Sequence, residues 1–363
     1  MEERVYWAGF AAFPGIGPGR FGDLLQTCGS AEKAWVASEK TLQATIGRSL
    51  TEKFLHFRST FSLQEYVQEL QKLTISFVTF SEKEYPPSLK EIEKPPFVLF
   101  YKGDSSLLDA SYRNVAVVGT RMVTEYGREV TRLFTDSLTG AGFTIVSGLA
   151  LGVDAVAHMT ALDTQGKTIA VLGCGIECCY PASNTSLYRE ILRSGGLIVS
   201  EYTLKMSPSR GSFPARNRII AGLSEAILVT EGGEDSGSII TAMEGLKIGR
   251  KIFAVPGPIT SRLSQGPYKM IGQGAKLVTS GNEMLKELGL KGLGHPRLSS
   301  GRPKGETKEE QVIIAILENE SLHFDEIGKK VKIDTVVLGS LLSMMEVKGL
   351  IRQTAQGFYT VAT

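Results

Sequence analysis

Short apolar runs alternate with amphipathic, helix-period stretches through the middle of the chain, and this alternation constrains the fold more than any other feature. The runs are rich in β-branched residues and lie at 115–118, 144–146, 168–172, 197–200, 226–229, 251–255 and 276–278. The helical stretches between them include 127–138, 153–162, 187–192 and 238–248. Repeated strand, helix, strand order produces a parallel sheet with helices on both faces. We therefore predict an α/β fold with a doubly wound, mostly parallel sheet.

The segments that follow several of these strands are built from small residues. They read Gly119-Thr120-Arg121, Ser147-Gly148-Leu149-Ala150, Gly173-Cys174-Gly175 and Ser236-Gly237-Ser238. Ligands of doubly wound sheets bind at the carboxyl ends of the strands, where backbone N–H groups and helix N-termini can receive phosphates. None of these segments is a dinucleotide-binding fingerprint, and the sequence has no nucleoside-triphosphate P-loop. We therefore expect phosphate binding without a cofactor.

The segment 202–218 concentrates positive charge. It contains no acidic residue, but it carries four cations and a single phenyl ring: Lys205, Arg210, Arg216, Arg218 and Phe213. Pro208, Gly211 and Pro214 predict a shaped loop, with a helix only from Asn217 onward. Guanidinium groups bind phosphates and a ring stacks on a base, so this pattern favours a groove for single-stranded nucleic acid. The alternative is a structural loop whose arginines pair with carboxylates elsewhere in the fold.

Length and composition set outer limits. The chain has 363 residues, 42% of them hydrophobic, and a net charge of only +2. It is long enough for two or three domains, and any nucleic-acid binding must come from local clustering of charge. The sequence shows neither an apolar run of membrane-span length nor a signal-peptide pattern, so we expect a soluble, cytoplasmic protein. Cys174, Cys178 and Cys179 cluster without zinc-ligand spacing, and we expect reduced thiols and no metal.

The first part of the chain is expected to be a small helical domain, at 1–78. A glycine-rich hairpin at 13–20 separates two helical patterns and contains Arg20 as its only cation. It has two interpretations. It resembles half of a helix-hairpin-helix element, in which glycines let backbone N–H groups approach a phosphate, and it equally suits a tight turn inside a helical bundle.

The last part of the chain changes character twice. Residues 291–308 are rich in glycine, proline, serine and basic residues, which predicts a flexible basic linker. In the following domain, 309–363, helical patterns at 310–317, 324–331 and 335–347 precede a short hairpin at 350–359, the order of a winged helix. The third helix, capped by Asp334, has no Arg, Lys, Asn or Gln for base edges. We therefore favour a protein-contact or auxiliary role over a sequence-specific regulator.

Six motifs between 118 and 278 point to a known family. They are Val118-Gly119-Thr120-Arg121, SGLALGVDAVAH (147–158), VLGCGIECCYPASN (171–184), SEYTLKMSPSRGSFPARNRIIAGLS (200–224), SGSIITAMEGLKIGRKIFAVPG (236–257) and IGQGAKLV (271–278). In this order they resemble the DNA-processing protein A (DprA/Smf) family. The resemblance implies an extended Rossmann-like domain at 79–290, between a SAM-like helical domain and a winged helix. It also implies a homodimer that binds single-stranded DNA.

The same resemblance implies a role in competence. Such a protein protects incoming DNA and loads the RecA recombinase onto it in natural transformation and DNA recombination, with single-stranded DNA-binding protein as a further expected partner. The family's motifs assign the DNA pocket to Arg121, Arg210, Phe213, Arg216, Asn217, Arg218, Ser236 and Gly237. The small-residue strand ends and the cationic segment add Gly119, Ser147, Gly148, Lys205 and Ser238. One departure is that Ala182 and Ser183 stand where the family often has a basic residue.

The sequence also offers an enzymatic alternative. Asp154 and His158 are spaced as neighbours on a helix, but no nucleophile lies beside them in sequence, so orientation of a loop is the favoured interpretation. Glu231-Gly232-Gly233 faintly resembles the Pro-Gly-Gly-x-Gly-Thr loop of phosphoribohydrolases, without its proline and threonine. We expect no catalysis. A phosphoribohydrolase-like enzyme that cleaves nucleotides in the same pocket is the alternative.

Overall fold

The computed structural model describes residues 2–290, 307–317, 321–355 and 357–361. The chain divides into two compact units, Met1–Leu293 and Gly294–Thr363. Nearly all of the linker predicted at 291–308 lies outside the described residues. Within the described part of the chain, no helix is long and apolar enough to cross a membrane.

The first unit opens with six helices. They are α1 Glu3–Ala12, α2 Pro18–Cys28, α3 Ala31–Trp35, α4 Glu39–Ile46, α5 Arg48–Thr60 and α6 Leu63–Lys72. Ser30, Ser38 and Ser62 each accept a hydrogen bond from a backbone N–H in the first turn of α3, α4 and α6, so local capping fixes where these helices begin. Gly15 takes a positive φ of 108° in the turn between α1 and α2, where Pro18 opens the second helix.

A nine-stranded sheet follows. Its strands are β1 Ser76–Thr79, β2 Val98–Gly103, β3 Asn114–Val118, β4 Thr144–Ser147, β5 Thr168–Val171, β6 Leu197–Ser200, β7 Ala226–Val229, β8 Lys251–Ala254 and β9 Lys276–Leu277. The spatial order is β1-β2-β6-β5-β4-β3-β7-β8-β9. The seven strands that follow β2 in this spatial order, β6-β5-β4-β3-β7-β8-β9, all pair in parallel. The pairs β1–β2 and β2–β6 are antiparallel. The predicted doubly wound, mostly parallel sheet is confirmed.

Seven helices connect and cover these strands: α7 Glu125–Gly140, α8 Val153–Asp163, α9 Thr185–Arg193, α10 Ser212–Gly222, α11 Gly237–Lys247, α12 Gln265–Gly272 and α13 Gly281–Glu287. Short 3-10 turns lie at Pro87–Glu91, Ser105–Leu108, Ala182–Asn184 and Arg262–Ser264. Alternate residues of β3 enter different cores. Val115 and Val117 pack with α7, α8 and α13, while Ala116 and Val118 pack with α10, α11 and α12. Burial of both faces explains why the strands read as continuous apolar runs.

The N-terminal helices share a core with one side of this sheet. Their aromatic residues cluster with buried residues of β2, β5 and β6, and the ring of Phe21 in α2 stacks on Phe97 with centroids 4.2 Å apart. Both parts belong to the first compact unit. A domain boundary between residues 78 and 79 stays a prediction.

Two local features of the first unit differ from the sequence-based prediction. The strand β1 was not predicted; it is only four residues long and pairs antiparallel with β2 at the edge of the sheet. The helix expected from Asn217 begins five residues earlier, at Ser212, and includes Pro214. Proline is tolerated in the first turn of a helix because the N–H groups there have no intrahelical acceptor.

The second unit contains α14 Lys308–Leu317, β10 Leu322–His323, α15 Phe324–Val331, α16 Thr335–Val347, β11 Ile351–Ala355 and β12 Phe358–Val361. The strands form a small antiparallel sheet in the order β10-β12-β11. The predicted bounds of α15 and α16 are correct, and Asp334 caps α16 by accepting a hydrogen bond from the N–H of Val336. The three helices and the final hairpin follow the predicted order, but the two-residue strand β10 was not predicted, and assignment as a winged helix stays a prediction.

Candidate functional site

The order of the strands creates a crevice between β3 and β7. From β3 the chain progresses in one direction through β4, β5 and β6, and it returns to the other side of β3 for β7 and β8. Such a reversal leaves a ligand-binding crevice beyond the carboxyl ends of the two central strands. A cavity of about 660 Å³ lies there, lined by residues that follow β3, by the first turns of α10 and α11, and by Tyr180.

Most of the expected DNA-binding residues meet in this cavity, which we call the switch-point pocket. Its lining includes Gly119, Arg121, Arg210, Phe213, Arg216, Asn217, Ser236, Gly237 and Ser238. Gly148 lines a smaller adjoining cavity of about 60 Å³, which shares Arg121, Phe213 and Arg216 with the larger one. Residues that are far apart in the sequence are therefore brought to one end of the sheet.

Three expected residues lie outside both linings. Ser147 is fully buried and donates a hydrogen bond to the carbonyl of Val117 in the neighbouring strand. The Nζ of Lys205 lies 3.9 Å from a carboxylate oxygen of Glu69, on an exposed surface. The Arg218 guanidinium is ion-paired with Glu201, with both side chains largely buried. For Arg218, the structure agrees with the alternative given from the sequence, in which an arginine of the cationic segment pairs with a carboxylate elsewhere in the fold.

Arg121 and Arg210 are the exposed cations of the switch-point pocket. Among the residues that the structure describes, neither guanidinium makes a hydrogen bond or an ion pair, and the contact seen is that of Arg121 with the Phe213 ring, at 5.4 Å from its centroid. Unpaired guanidinium groups at the mouth of a cavity can form forked contacts with phosphate oxygens without breaking existing interactions.

Arg216 has a different role, because it is only 4% exposed. Its Nη1 donates to the carbonyls of Gly148, at 2.7 Å, and Val171, and its Nε donates to Asn217 Oδ1 at 3.2 Å. Burial lowers the pKa of Arg216, and the charge of nearby Asp154 opposes that shift. The Arg216 side chain ties the loop after β4 to the end of β5 and to α10, and it forms the floor of the pocket.

The N-terminus of α11 supplies backbone donors to the same pocket. Ser236 is the N-cap residue, and its Oγ accepts hydrogen bonds from the N–H of Ser238, at 3.4 Å, and from the Ser238 hydroxyl, at 2.9 Å. A Cβ added to Gly233 or Gly237 would meet open space. An eleven-residue helix directs the positive end of its dipole here, which favours a bound anion.

The loop after β3 is held from behind by Glu231. Its carboxylate accepts hydrogen bonds from the N–H and the hydroxyl of Thr124, at 2.9 and 2.7 Å, and its backbone carbonyl accepts one from the N–H of Thr120 at 2.7 Å. Thr124 in turn caps α7. Glu231 is buried and is absent from the lining of the pocket. Its position is that of a structural brace, which gives no support to the phosphoribohydrolase alternative.

Asp154 and His158 do not hydrogen-bond to each other. Asp154 accepts hydrogen bonds from the N–H groups of Gly148 and Ala150, at 3.1 and 3.4 Å, and burial raises its pKa. His158 Nδ1 lies 2.7 Å from the Thr168 hydroxyl, and burial, with Arg216 nearby, lowers the His158 pKa to about 3. Asp154 therefore orients the loop after β4, as favoured from the sequence.

Other side chains of the pocket escaped the sequence reasoning. Met122, Tyr180 and Ile240 are exposed and line the pocket, yet each is a single apolar residue in a loop or a first helical turn. No periodicity marks such positions. Among the described residues, no group of three or more His, Cys, Asp or Glu side chains could hold a metal, and all four cysteines are free thiols.

Known proteins are similar to this chain in sequence. The model of the family described as DNA recombination-mediator protein A matches residues 76–289. Protein Smf of Synechocystis is 39% identical over 292 residues, which cover 79% of this chain and 73% of that protein. DNA processing protein DprA of Bacillus subtilis is 42% identical over 214 residues, covering 59% and 71% of the two chains.

Solved structures agree with the sequence relatives. DNA processing protein A of Streptococcus pneumoniae superposes with a TM-score of 0.67 at 35% identity, over 78% of this chain and 97% of that chain. The protein of the same name from Helicobacter pylori gives a TM-score of 0.53 at 32% identity, over 59% and 95%. On the strength of its sheet, its motifs and these matches, the chain belongs to the DNA recombination-mediator protein A family.

Proposed function

We propose that this protein binds single-stranded DNA in the switch-point pocket, by phosphate contacts and base stacking and without altering the strand chemically. The observation that carries the proposal is the pair Arg121 and Arg210, two exposed cations with no partner among the described residues, beside the open N-terminus of α11. The Helicobacter pylori relative was studied for its single-stranded DNA binding mode. A pocket that recognises phosphate and ring faces is tolerant of sequence.

The wider role follows from the family. We propose that the protein acts in the cytoplasm as a homodimer, protects incoming strands, and loads the RecA recombinase onto them in natural transformation and recombination, with single-stranded DNA-binding protein as a further partner. The family description as recombination mediator supports this role.

The test is a double substitution of the two exposed cations, R121A/R210A. The slope of log affinity against log salt concentration is negative, and each lost phosphate contact should reduce its magnitude by about 0.7. The double variant should therefore reduce the magnitude by about 1.4. Binding of a fluorescent homopolymer strand and of the matching duplex is measured by anisotropy at several salt concentrations. We expect the wild type to prefer the single strand.

The matched control is R48A/R193A. Both arginines are highly exposed, and within the described part of the chain each pairs with a glutamate on its own helix, so this variant makes the same change in net charge away from the pocket. We expect it to retain the affinity and the salt slope of the wild type. If the two double variants bind the strand alike, the proposed site is wrong.

Absence of catalysis is tested separately. Purified protein is incubated with nucleoside monophosphates and with a labelled strand, and the products are separated by chromatography. We expect both substrates to be recovered intact. Release of a free base or of ribose phosphate would favour the phosphoribohydrolase alternative.

A further inference from the structure

Two aromatic rings lie at the switch-point pocket, and they differ in how much surface they offer. The ring of Phe213 is flanked by the Arg121 guanidinium, at 5.4 Å from its centroid, and by the Tyr180 ring, with centroids also 5.4 Å apart. A Cβ on Gly173 would lie 2.7 Å from Phe213 Cδ1, so the backbone at Gly173 packs closely against the Phe213 ring. Phe213 is thus a wall of the pocket rather than a free stacking surface.

Tyr180 is placed in the opposite way. It is 46% exposed and lines both the 660 Å³ pocket and the adjoining 60 Å³ cavity, so it stands at the mouth shared by the two. Exposed Met122 and Ile240 line the larger cavity and exposed Leu151 lines the smaller one. An isolated exposed ring is ordinary, but an aromatic ring within an apolar rim next to two exposed arginines is a surface suited to a ligand.

We propose that Tyr180 is the base-stacking residue of this pocket: an unpaired nucleobase stacks on its ring while Arg121 and Arg210 hold the adjacent phosphates. This inference rests on the proposed function and names the group that recognises the base. A base in a duplex has both faces covered by its neighbours, so Tyr180 selects single strands. Every base offers a π-face, so the contact is tolerant of sequence.

The experiment compares a homopolymer strand with an abasic strand of the same length, which keeps the phosphates and lacks the bases. For Y180A we expect roughly 5- to 150-fold weaker binding of the base-bearing strand, the range for loss of one stacked base, and unchanged binding of the abasic strand. Y180F should bind like the wild type. Y180L, which keeps apolar area without an aromatic face, should fall between Y180A and the wild type.

The control is Y112A. Tyr112 is exposed to a similar degree, at 39%, but it precedes β3 and lies at the opposite, amino-terminal end of that strand. The Y112A variant should bind the base-bearing strand and the abasic strand with the affinities of the wild type. As a direct readout, a strand containing 5-iodouracil is cross-linked by light to the wild-type protein, and the modified residue is identified by mass spectrometry. We expect the cross-link at position 180.

The outcomes separate this inference from the function on which it rests. If the wild type binds the base-bearing strand but Y180A binds it equally well, or if Y180A weakens both strands to the same extent, Tyr180 does not stack on a base and the proposed function stands. If the wild type binds neither strand, the proposed function fails and this inference fails with it.

Discussion

The guanidinium of Arg218 donates a hydrogen bond to the carboxylate of Glu201 from each of its terminal nitrogens: Nη1 lies 2.9 Å from Oε1, and Nη2 lies 2.6 Å from Oε2. The side chains are only 14% and 10% exposed. Arg218 also donates from Nε to the carbonyl of Lys94, at 3.2 Å. One arginine of the cationic segment therefore braces α10 against the chain that leaves β6, and its charge is neutralised within the fold.

We predict that R218A destabilises the first unit, because it leaves the largely buried Glu201 carboxylate without its cationic partner. The expected loss in free energy of unfolding is about 3–5 kcal/mol. Both tryptophans of the chain, Trp7 and Trp35, lie in this unit, so urea unfolding followed by their fluorescence reports on it. R193A, which breaks an exposed pair with Glu190, should cost less than about 0.5 kcal/mol. If R218A were as stable as the wild type but bound single-stranded DNA more weakly, Arg218 would be a DNA-binding residue and not a structural one.

The buried histidine predicts a dependence of stability on pH. Because the His158 pKa is about 3 in the folded protein and about 6.5 when unfolded, the unfolded state binds more protons between these values. Stability from this group is therefore complete above pH 6.5 and falls by about 1.4 kcal/mol for each pH unit between pH 6.5 and the folded-state pKa of about 3.

The check on His158 is a comparison with H158N, which cannot titrate there. Asp154, whose pKa is raised by burial, and Arg216 act on the same region, so only the difference between wild type and variant is informative. Between pH 7 and pH 5, urea unfolding should show a steeper loss of stability for the wild type, by about 2 kcal/mol. Parallel profiles would contradict the prediction.

The strands were predictable and the partners of the arginines were not. Both faces of the parallel strands β3 to β8 are buried, so each strand is an apolar run that the sequence shows directly. Helix α16 was predicted to the residue because its cap, Asp334, acts locally. By contrast, Arg216 and Arg218 differ only in the direction they take from α10. One enters the floor of the pocket and the other reaches Glu201, and no local pattern distinguishes them.

Glycine had two meanings that the sequence could not separate. Gly148 was expected to offer its N–H to a phosphate, but in the structure this N–H donates to Asp154 and the carbonyl accepts from Arg216. The residue is small because Arg216 packs on it. The helix begun at Ser212 was missed for a related reason, since Pro214 signals a break in general and is allowed in a first turn.

This packing predicts the effect of G148A. A Cβ at this position would lie 2.5 Å from both terminal nitrogens of Arg216, whose hydrogen bonds hold it in place. Overpacking of this kind costs about 1–3 kcal/mol, measured by urea unfolding. G211A is the matched control, because Gly211 faces open space at the start of α10 and has an ordinary negative φ. Equal stability of the two variants would show that Arg216 can move aside.

The last prediction concerns the brace behind the loop after β3. E231A removes both acceptors of Thr124 and an anion at the N-terminus of α7, and we expect a loss of about 2–3 kcal/mol. E231Q should lose less, because one oxygen can still accept the Thr124 N–H. T124S, which keeps the hydroxyl, should be close to the wild type.

Hydrogen exchange shows where the brace acts. In E231A, the first turn of α7 and the N–H of Thr120 should exchange faster, because the Glu231 backbone that accepts from Thr120 is no longer fixed by its side chain. Binding of single-stranded DNA should weaken as well, because Arg121 follows Thr120 directly in the loosened loop. If E231A weakens binding while exchange and stability remain those of the wild type, Glu231 would act on the ligand itself rather than through the loop.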